Sequence, residues 1–147
     1  PGELQGCFTS NRPMGSLTLN NKCGVFGTLT ESALSICCGN EYKMGFKQEI
    51  KEGKATVLTT VSGCQAMEYE IEIESIDCSS KDNTKNMTIR ITDKRLLNET
   101  GGIVQGMSGS PIIQDNKLVG AVTHVFIEDS SRGYAIFAEN MFDCLSS

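Results

Sequence analysis

The 147 residues are 39% hydrophobic and 21% charged, with a net charge of −5 at pH 7. That length and balance suit one domain that buries about 68–70% of its unfolded surface. The acidic balance and the lack of an Arg/Lys cluster argue against a nucleic-acid partner, and no apolar stretch is long enough to span a bilayer.

In chain order, Pro1-Gly2-Glu3-Leu4 is neither an initiator methionine nor a signal peptide, and reads as the start of a processed chain or of a piece of a longer one. Gly15 to Asn21 reads as a strand and turn, and Cys23 to Gly27 as a glycine-bounded strand. Tyr42 to Ile50 is mixed, with Glu52-Gly53 expected to make a hairpin-type turn. Ala55 to Val61 is β-branched and strand-like. Glu68-Tyr69-Glu70-Ile71-Glu72-Ile73-Glu74 alternates with period two, the signature of a half-buried strand with its glutamates outward. Weak cation binding is the alternative reading of that acidic face. Met87 to Thr92 alternates again and is expected to pair with it. Thr92 is placed to cap a short helix over 93–99 that Gly101-Gly102 ends. Asp115-Asn116 makes a two-residue turn before a strand over 117–127; a last strand covers 134–138 and a terminal helix 139–145. Many short strands with frequent turns and little helix predict a mainly β protein, a barrel or sandwich.

Seven cysteines, Cys7, Cys23, Cys37, Cys38, Cys64, Cys78 and Cys144, leave at least one unpaired in a monomer. There is no C-x-x-C, and Cys37-Cys38 are adjacent, which fits neither a zinc knuckle nor a redox pair. They read first as buried small hydrophobes, with one or two disulfides as the alternative. No metal site and no cofactor are expected.

The chemistry concentrates in Gly106-Met107-Ser108-Gly109-Ser110-Pro111. A serine between glycines can sit on a tight turn with its hydroxyl exposed. The backbone N–H groups of Gly106 and Ser108 can then converge as an oxyanion hole, commonly the largest electrostatic term in acyl transfer. Ser110 directly precedes a proline and reads as shaping the turn. The following strand-turn-strand places Gly120 to Val125 where a chymotrypsin-like enzyme pairs with substrate backbone, so Thr123, His124 and Val125 are the expected substrate edge. The fold expected with this turn is a chymotrypsin-like antiparallel β-barrel with short helical turns. His124, the one histidine, follows Ser108 by sixteen residues, whereas the chymotrypsin order puts histidine before serine. It reads as a pocket-lining residue rather than the catalytic base. Asp93, fifteen residues before Ser108, is a candidate acid partner for a histidine, with helix capping as its structural alternative.

The run from Gly101 to Gln114 and the run from Gly120 to Phe126 closely resemble the stage IV sporulation protein B peptidase family of endospore-forming bacteria. So do Val57 to Val61, Glu68 to Glu74, Ile89 to Asp93 and the Pro1 to Gly6 start. The resemblance implies a serine endopeptidase secreted across the forespore membrane into the intermembrane space. There it would cleave itself and a membrane-anchored regulator, and so trigger processing of a late sigma factor. It maps Ser108 onto the nucleophile and Asp93 onto the proposed acid partner. The family's histidine lies in a Gly-His element upstream of the part matching Pro1, and no residue here corresponds to it. Residues 1–147 are therefore expected to be the C-terminal part of the peptidase domain, downstream of that histidine segment and of a membrane anchor and a PDZ domain, with little activity alone. The alternative is a catalytically inactive barrel that binds an extended peptide on the Thr123–Phe126 edge.

Overall fold

In chain order, a computed structural model describing residues 13–36, 40–63 and 65–145 runs β1 (Gly15–Asn21), β2 (Gly24–Leu29), α1 (Glu31–Ile36), β3 (Lys43–Met44), β4 (Gly53–Thr59), β5 (Met67–Ile76), β6 (Met87–Ile91), α2 (Lys94–Thr100), β7 (Pro111–Gln114), β8 (Lys117–Val125), β9 (Arg132–Phe137) and α3 (Ala138–Asp143). The Pro1 to Gly6 start and Cys7, Cys37, Cys38 and Cys64 lie outside the described residues.

The alternation over 68–74 becomes the inner and outer faces of β5. Tyr69, Ile71 and Ile73 are 4%, 1% and 0% exposed, while Glu68, Glu70 and Glu72 point to solvent. Each inward side chain contributes about 1.5–3 kcal/mol on burial. A one-residue slip would turn all of them outward, so the register is strongly specified. β5 pairs antiparallel with β4 (Ala55↔Ile71) and, as expected, with β6 (Ile71↔Ile91). β6 pairs with β9, β9 with β8, β8 with β7, and β7 returns to β4 through Val57↔Ile112. The circuit is a closed six-stranded antiparallel barrel. Its core joins Val57, Met87, Ile89, Ile112, Val122 and Phe137, with Leu96 of α2 and Ile103 and Met107 from the segment after it.

Asp115 and Asn116 carry φ of 50° and 59°, so the two-residue turn between β7 and β8 is of the mirror-image type that matches strand twist. Three expectations need correction. Glu52-Gly53 does not close a hairpin. β3 instead pairs in parallel with β8 (Lys43↔Lys117), and Gly53 opens β4. The side-chain amide of Gln114 holds that entry, accepting from Lys51 N at 3.0 Å and donating to the Lys51 and Lys54 carbonyls. Asp93, not Thr92, is the N-cap of α2, because its carboxylate reaches Arg95 N at 2.8 Å. Gly101, with φ 73°, ends that helix as expected. Helix α1 had no counterpart in the sequence reading; Thr30 caps it, accepting from Ala33 N. Finally, Cys23 and Cys144 form a disulfide rather than serving as free core residues, while Cys78 is free and exposed.

The disulfide lies in a small apolar cluster with Ala121, Ile136, Phe26 and Met141. It ties the turn between β1 and β2 to the end of α3. Among the described residues, β1 and β2 pair only with each other, outside the barrel. No helix among the described residues is long and apolar enough to cross a membrane.

Candidate active site

Two consecutive turns build the serine loop. Met107 N donates to Val104 O at 3.2 Å and Ser110 N to Met107 O at 3.0 Å, so the two turns share Met107. The third residue of each is a glycine with positive φ, Gly106 at 97° and Gly109 at 87°. That is the type II requirement which a side chain would oppose. Buried Met107 pins the pair into the barrel core, which leaves Ser108 exposed on the outer turn. Gly109 N bonds to Val122 O at 2.8 Å and Val122 N to Ser110 O at 3.0 Å, locking the loop onto β8. Ser110 thus serves the turn through its backbone.

Within this loop the N–H groups of Met107, Gly109 and Ser110 are satisfied internally. Those of Gly106 and Ser108 donate to no acceptor among the described residues. Gln105 N is likewise without an acceptor there; Gly106 and Ser108 are the pair that the sequence marks as an oxyanion hole. Free N–H groups beside a serine hydroxyl are the kind of donor that an oxyanion hole uses in acyl transfer.

The Ser108 hydroxyl donates to the backbone carbonyl of Thr123 at 3.1 Å. The loop and the expected substrate edge are therefore in contact. Beyond Ala121, among the described residues, β8 pairs only with β9, and its other edge carries no strand. Thr123 is fixed from behind, its hydroxyl donating to Thr84 O at 2.7 Å. His124 and Val125 are exposed, and both line a cavity of about 570 Å³ that continues along Phe126 and Ile127.

Asp93 is 7% exposed. Its Oδ1 accepts from Arg95 N at 2.8 Å and Arg95 Nε at 3.1 Å; its Oδ2 accepts from Arg95 Nη2 at 2.7 Å and Glu70 N at 3.2 Å. The Arg95 side-chain hydrogen bonds hold the carboxyl well below the usual carboxylate range; burial opposes them, and the two backbone donors add to them. Arg95 also reaches Glu68 O at 3.0 Å and lies over the Tyr69 ring at 5.2 Å. No hydrogen bond joins Asp93 to Ser108 or His124. The structure thus brings together Ser108, Gly106 and the Thr123–Val125 edge, and places Asp93 in a separate network with Arg95.

Two features escaped the sequence reading: the Thr123 carbonyl as the serine's partner, and Arg95 as Asp93's. The second had a local signal, since an N-cap aspartate commonly meets the backbone two residues on. The glutamate face of β5 lines a shallow groove with Tyr42, whose hydroxyl donates to Glu68 Oε1 at 3.1 Å. No group of three or more His, Cys, Asp or Glu that could hold a metal ion occurs among the described residues.

A family model described as SpoIVB peptidase S55 matches residues 1–142. No curated protein matches the chain. Among solved structures, the active form of the Rv3671c protease from M. tuberculosis superposes with a TM-score of 0.64 at 17% identity, covering 95% of this chain and 60% of that one. The inactive form of the Rv3671c protease gives 0.62 at 16%, covering 90% of this chain and 65% of that one. The chain thus spans less than two thirds of either structure. At such identity the likeness concerns the fold, and it makes the barrel one of chymotrypsin-like type, as the serine turn led us to expect.

Proposed function

The chain belongs to the SpoIVB peptidase S55 family, and on that premise we propose that it acts as a serine endopeptidase with Ser108 as its nucleophile. The observation that carries the reading is the pair of N–H groups, Gly106 and Ser108, that donate to no acceptor among the described residues, on the turn that exposes the Ser108 hydroxyl. Substrate lies as an extended strand against the open edge of β8 at Thr123, His124 and Val125. Ser108 Oγ gives its proton to the base and attacks the scissile carbonyl, and the two N–H groups receive the oxyanion; collapse breaks the C–N bond and releases the amine with that proton, and water then hydrolyses the acyl-enzyme to the acid and free Ser108.

The reaction needs a base, and among the described residues the Ser108 hydroxyl meets only the Thr123 carbonyl, which cannot take its proton. The base in this proposal is a histidine outside residues 1–147, with His124 serving the substrate edge. Asp93 is its proposed acid partner, a role that requires Arg95 to yield one carboxylate oxygen. The finer reading, drawn from the family, is that the enzyme works in the intermembrane space of the developing spore. There it cleaves itself and a membrane-anchored regulator, releasing late sigma factor processing.

The Ser108–Thr123 hydrogen bond also favours a second reading, a peptide-binding barrel without catalysis. Self-cleavage of the full-length protein separates the two. Ser108→Ala abolishes it if Ser108 is the nucleophile; cleavage that persists unchanged rejects the peptidase assignment.

A further inference from the structure

From the cavity beside β8 we infer that the protein has a subsite for one bulky apolar side chain, about three residues along the substrate from the scissile bond. This rests on the peptidase reading for what counts as the scissile bond, but the subsite itself is argued from its own residues.

Val125, Phe126, Ile127 and Tyr134 give the 570 Å³ cavity its apolar surface. Phe126 and Tyr134 stack with centroids 4.7 Å apart, tilted by 52°. The cations that line the cavity are already engaged. Arg132 is paired with Glu74 and sits over the Phe126 ring at 5.2 Å; Lys85 is paired with Asp82 and sits over the Tyr134 ring at 5.4 Å. Asp129 accepts from Ser131 N and Ser131 Oγ. With both cations engaged, the apolar surface of Val125, Phe126, Ile127 and Tyr134 is left for a ligand, bordered by His124 and by the carboxylates of Glu128 and Asp129.

Ile127 supplies the second observation, being 103% exposed at the tip of the segment after β8. Val125, on the same cavity, is 41% exposed, so the two extend its apolar lining into one continuous exposed surface, the kind that marks an interaction site. The segment is not loose, since Phe126 N bonds to Arg132 O at 3.0 Å.

The spacing identifies the occupant. Ser108 touches Thr123, which fixes the reacting carbonyl near that residue. Phe126 lies three residues further on, about 10 Å at the rise of an extended strand. A substrate strand running along this edge therefore places a residue about three positions from its scissile bond over Phe126 and Ile127. Discrimination by an apolar pocket of this kind is on the order of 10-fold.

The test uses the full-length protein carrying Ser108→Ala, probed with an array of extended peptides of randomised sequence. The expected result is enrichment of Leu, Ile, Met or Phe at one position, with affinity about tenfold above Gly or Asp there. That enrichment weakens in Ile127→Ser, a change that removes no intramolecular contact, or in Phe126→Ala. Absence of any enriched position, or enrichment unchanged in both variants, overturns the subsite. Fluorophosphonate labelling of Ser108 in the unsubstituted protein reports on the peptidase reading separately. Labelling without enrichment sinks the subsite alone, and enrichment without labelling sinks the peptidase alone.

Discussion

The Ser108 hydroxyl donates its hydrogen bond to the carbonyl of Thr123, 3.1 Å away on β8. This bond aligns the proposed nucleophile with the edge that would hold substrate, yet among the described residues gives it no proton acceptor of useful basicity. General-base assistance is typically worth about 10²–10⁴ in rate. Residues 1–147 alone are therefore expected to label with a fluorophosphonate slower than the full-length protein by about that factor. His124→Gln is expected to leave the labelling rate of either unchanged. Rapid labelling of residues 1–147 that disappears in His124→Gln would make His124 the base.

Asp93 and Arg95 form the best-satisfied charged pair in the site region, with four donors on one buried carboxylate. Asp93→Ala removes an N-cap, worth about 1 kcal/mol, and charge-assisted hydrogen bonds of roughly 1.5–3 kcal/mol. Arg95 is largely exposed, so solvent screening reduces the ion-pair share. A total near 2 kcal/mol is expected from urea unfolding, and about half of that for Asp93→Asn, which keeps the cap. Because the folded carboxyl titrates below its unfolded value of about 3.9, Asp93 stabilises fully above that pH. Its contribution fades as pH falls through the folded value. Asp93→Asn should therefore flatten the acid limb of the stability curve. If the unsubstituted protein and the variant lose stability in parallel below pH 4, the pairing is not energetically real.

The strands of the barrel were legible wherever burial is one-sided, because period two then appears directly in the residues, as in Glu68 to Glu74 and Met87 to Thr92. The serine turn was legible because its glycines are needed for φ rather than for packing. β3 was not, since two residues carry no period and their partner, β8, lies more than seventy positions away. Nor was the Cys23–Cys144 pair, separated by 121 residues. Nothing local distinguishes a cysteine that will find a distant partner from a buried free one. The cavity residues Phe126 and Tyr134 were assigned to strand ends, but their meeting depends on how β8 and β9 cross.

Glu74 joins three strands. It accepts from Arg90 of β6 and from Arg132 of β9 while sitting on β5. Burial pushes its carboxyl upward, but the Arg90 and Arg132 hydrogen bonds prevail and hold it below its ordinary value. Glu74→Gln is expected to lower stability by about 1 kcal/mol, because both arginines are partly exposed. The loss should shrink further at high salt. Since Arg132 also packs on Phe126, the variant should loosen the segment after β8, seen as faster amide exchange over 126–131. Unchanged exchange there would show that Arg132 holds Phe126 without help from Glu74.

Gly106 and Gly109 differ from most loop glycines here in lying on the turns that carry the proposed chemistry. No neighbour lies within 4 Å of a Cβ built on Gly109, so Gly109→Ala meets only the cost of its positive φ, about 1–2 kcal/mol. Gly106, with φ 97°, sets the same backbone cost against an alanine, but on the residue whose N–H would hold the oxyanion. A backbone that escapes the strain by rotating there turns that donor away, and loss of one such donor is typically worth about 10²–10³ in kcat. The expected pattern is similar melting temperatures for the two variants, with self-cleavage of the full-length protein falling far more in Gly106→Ala. Equal retention of self-cleavage in both would remove Gly106 from the oxyanion hole and leave its φ as a requirement of the turn alone.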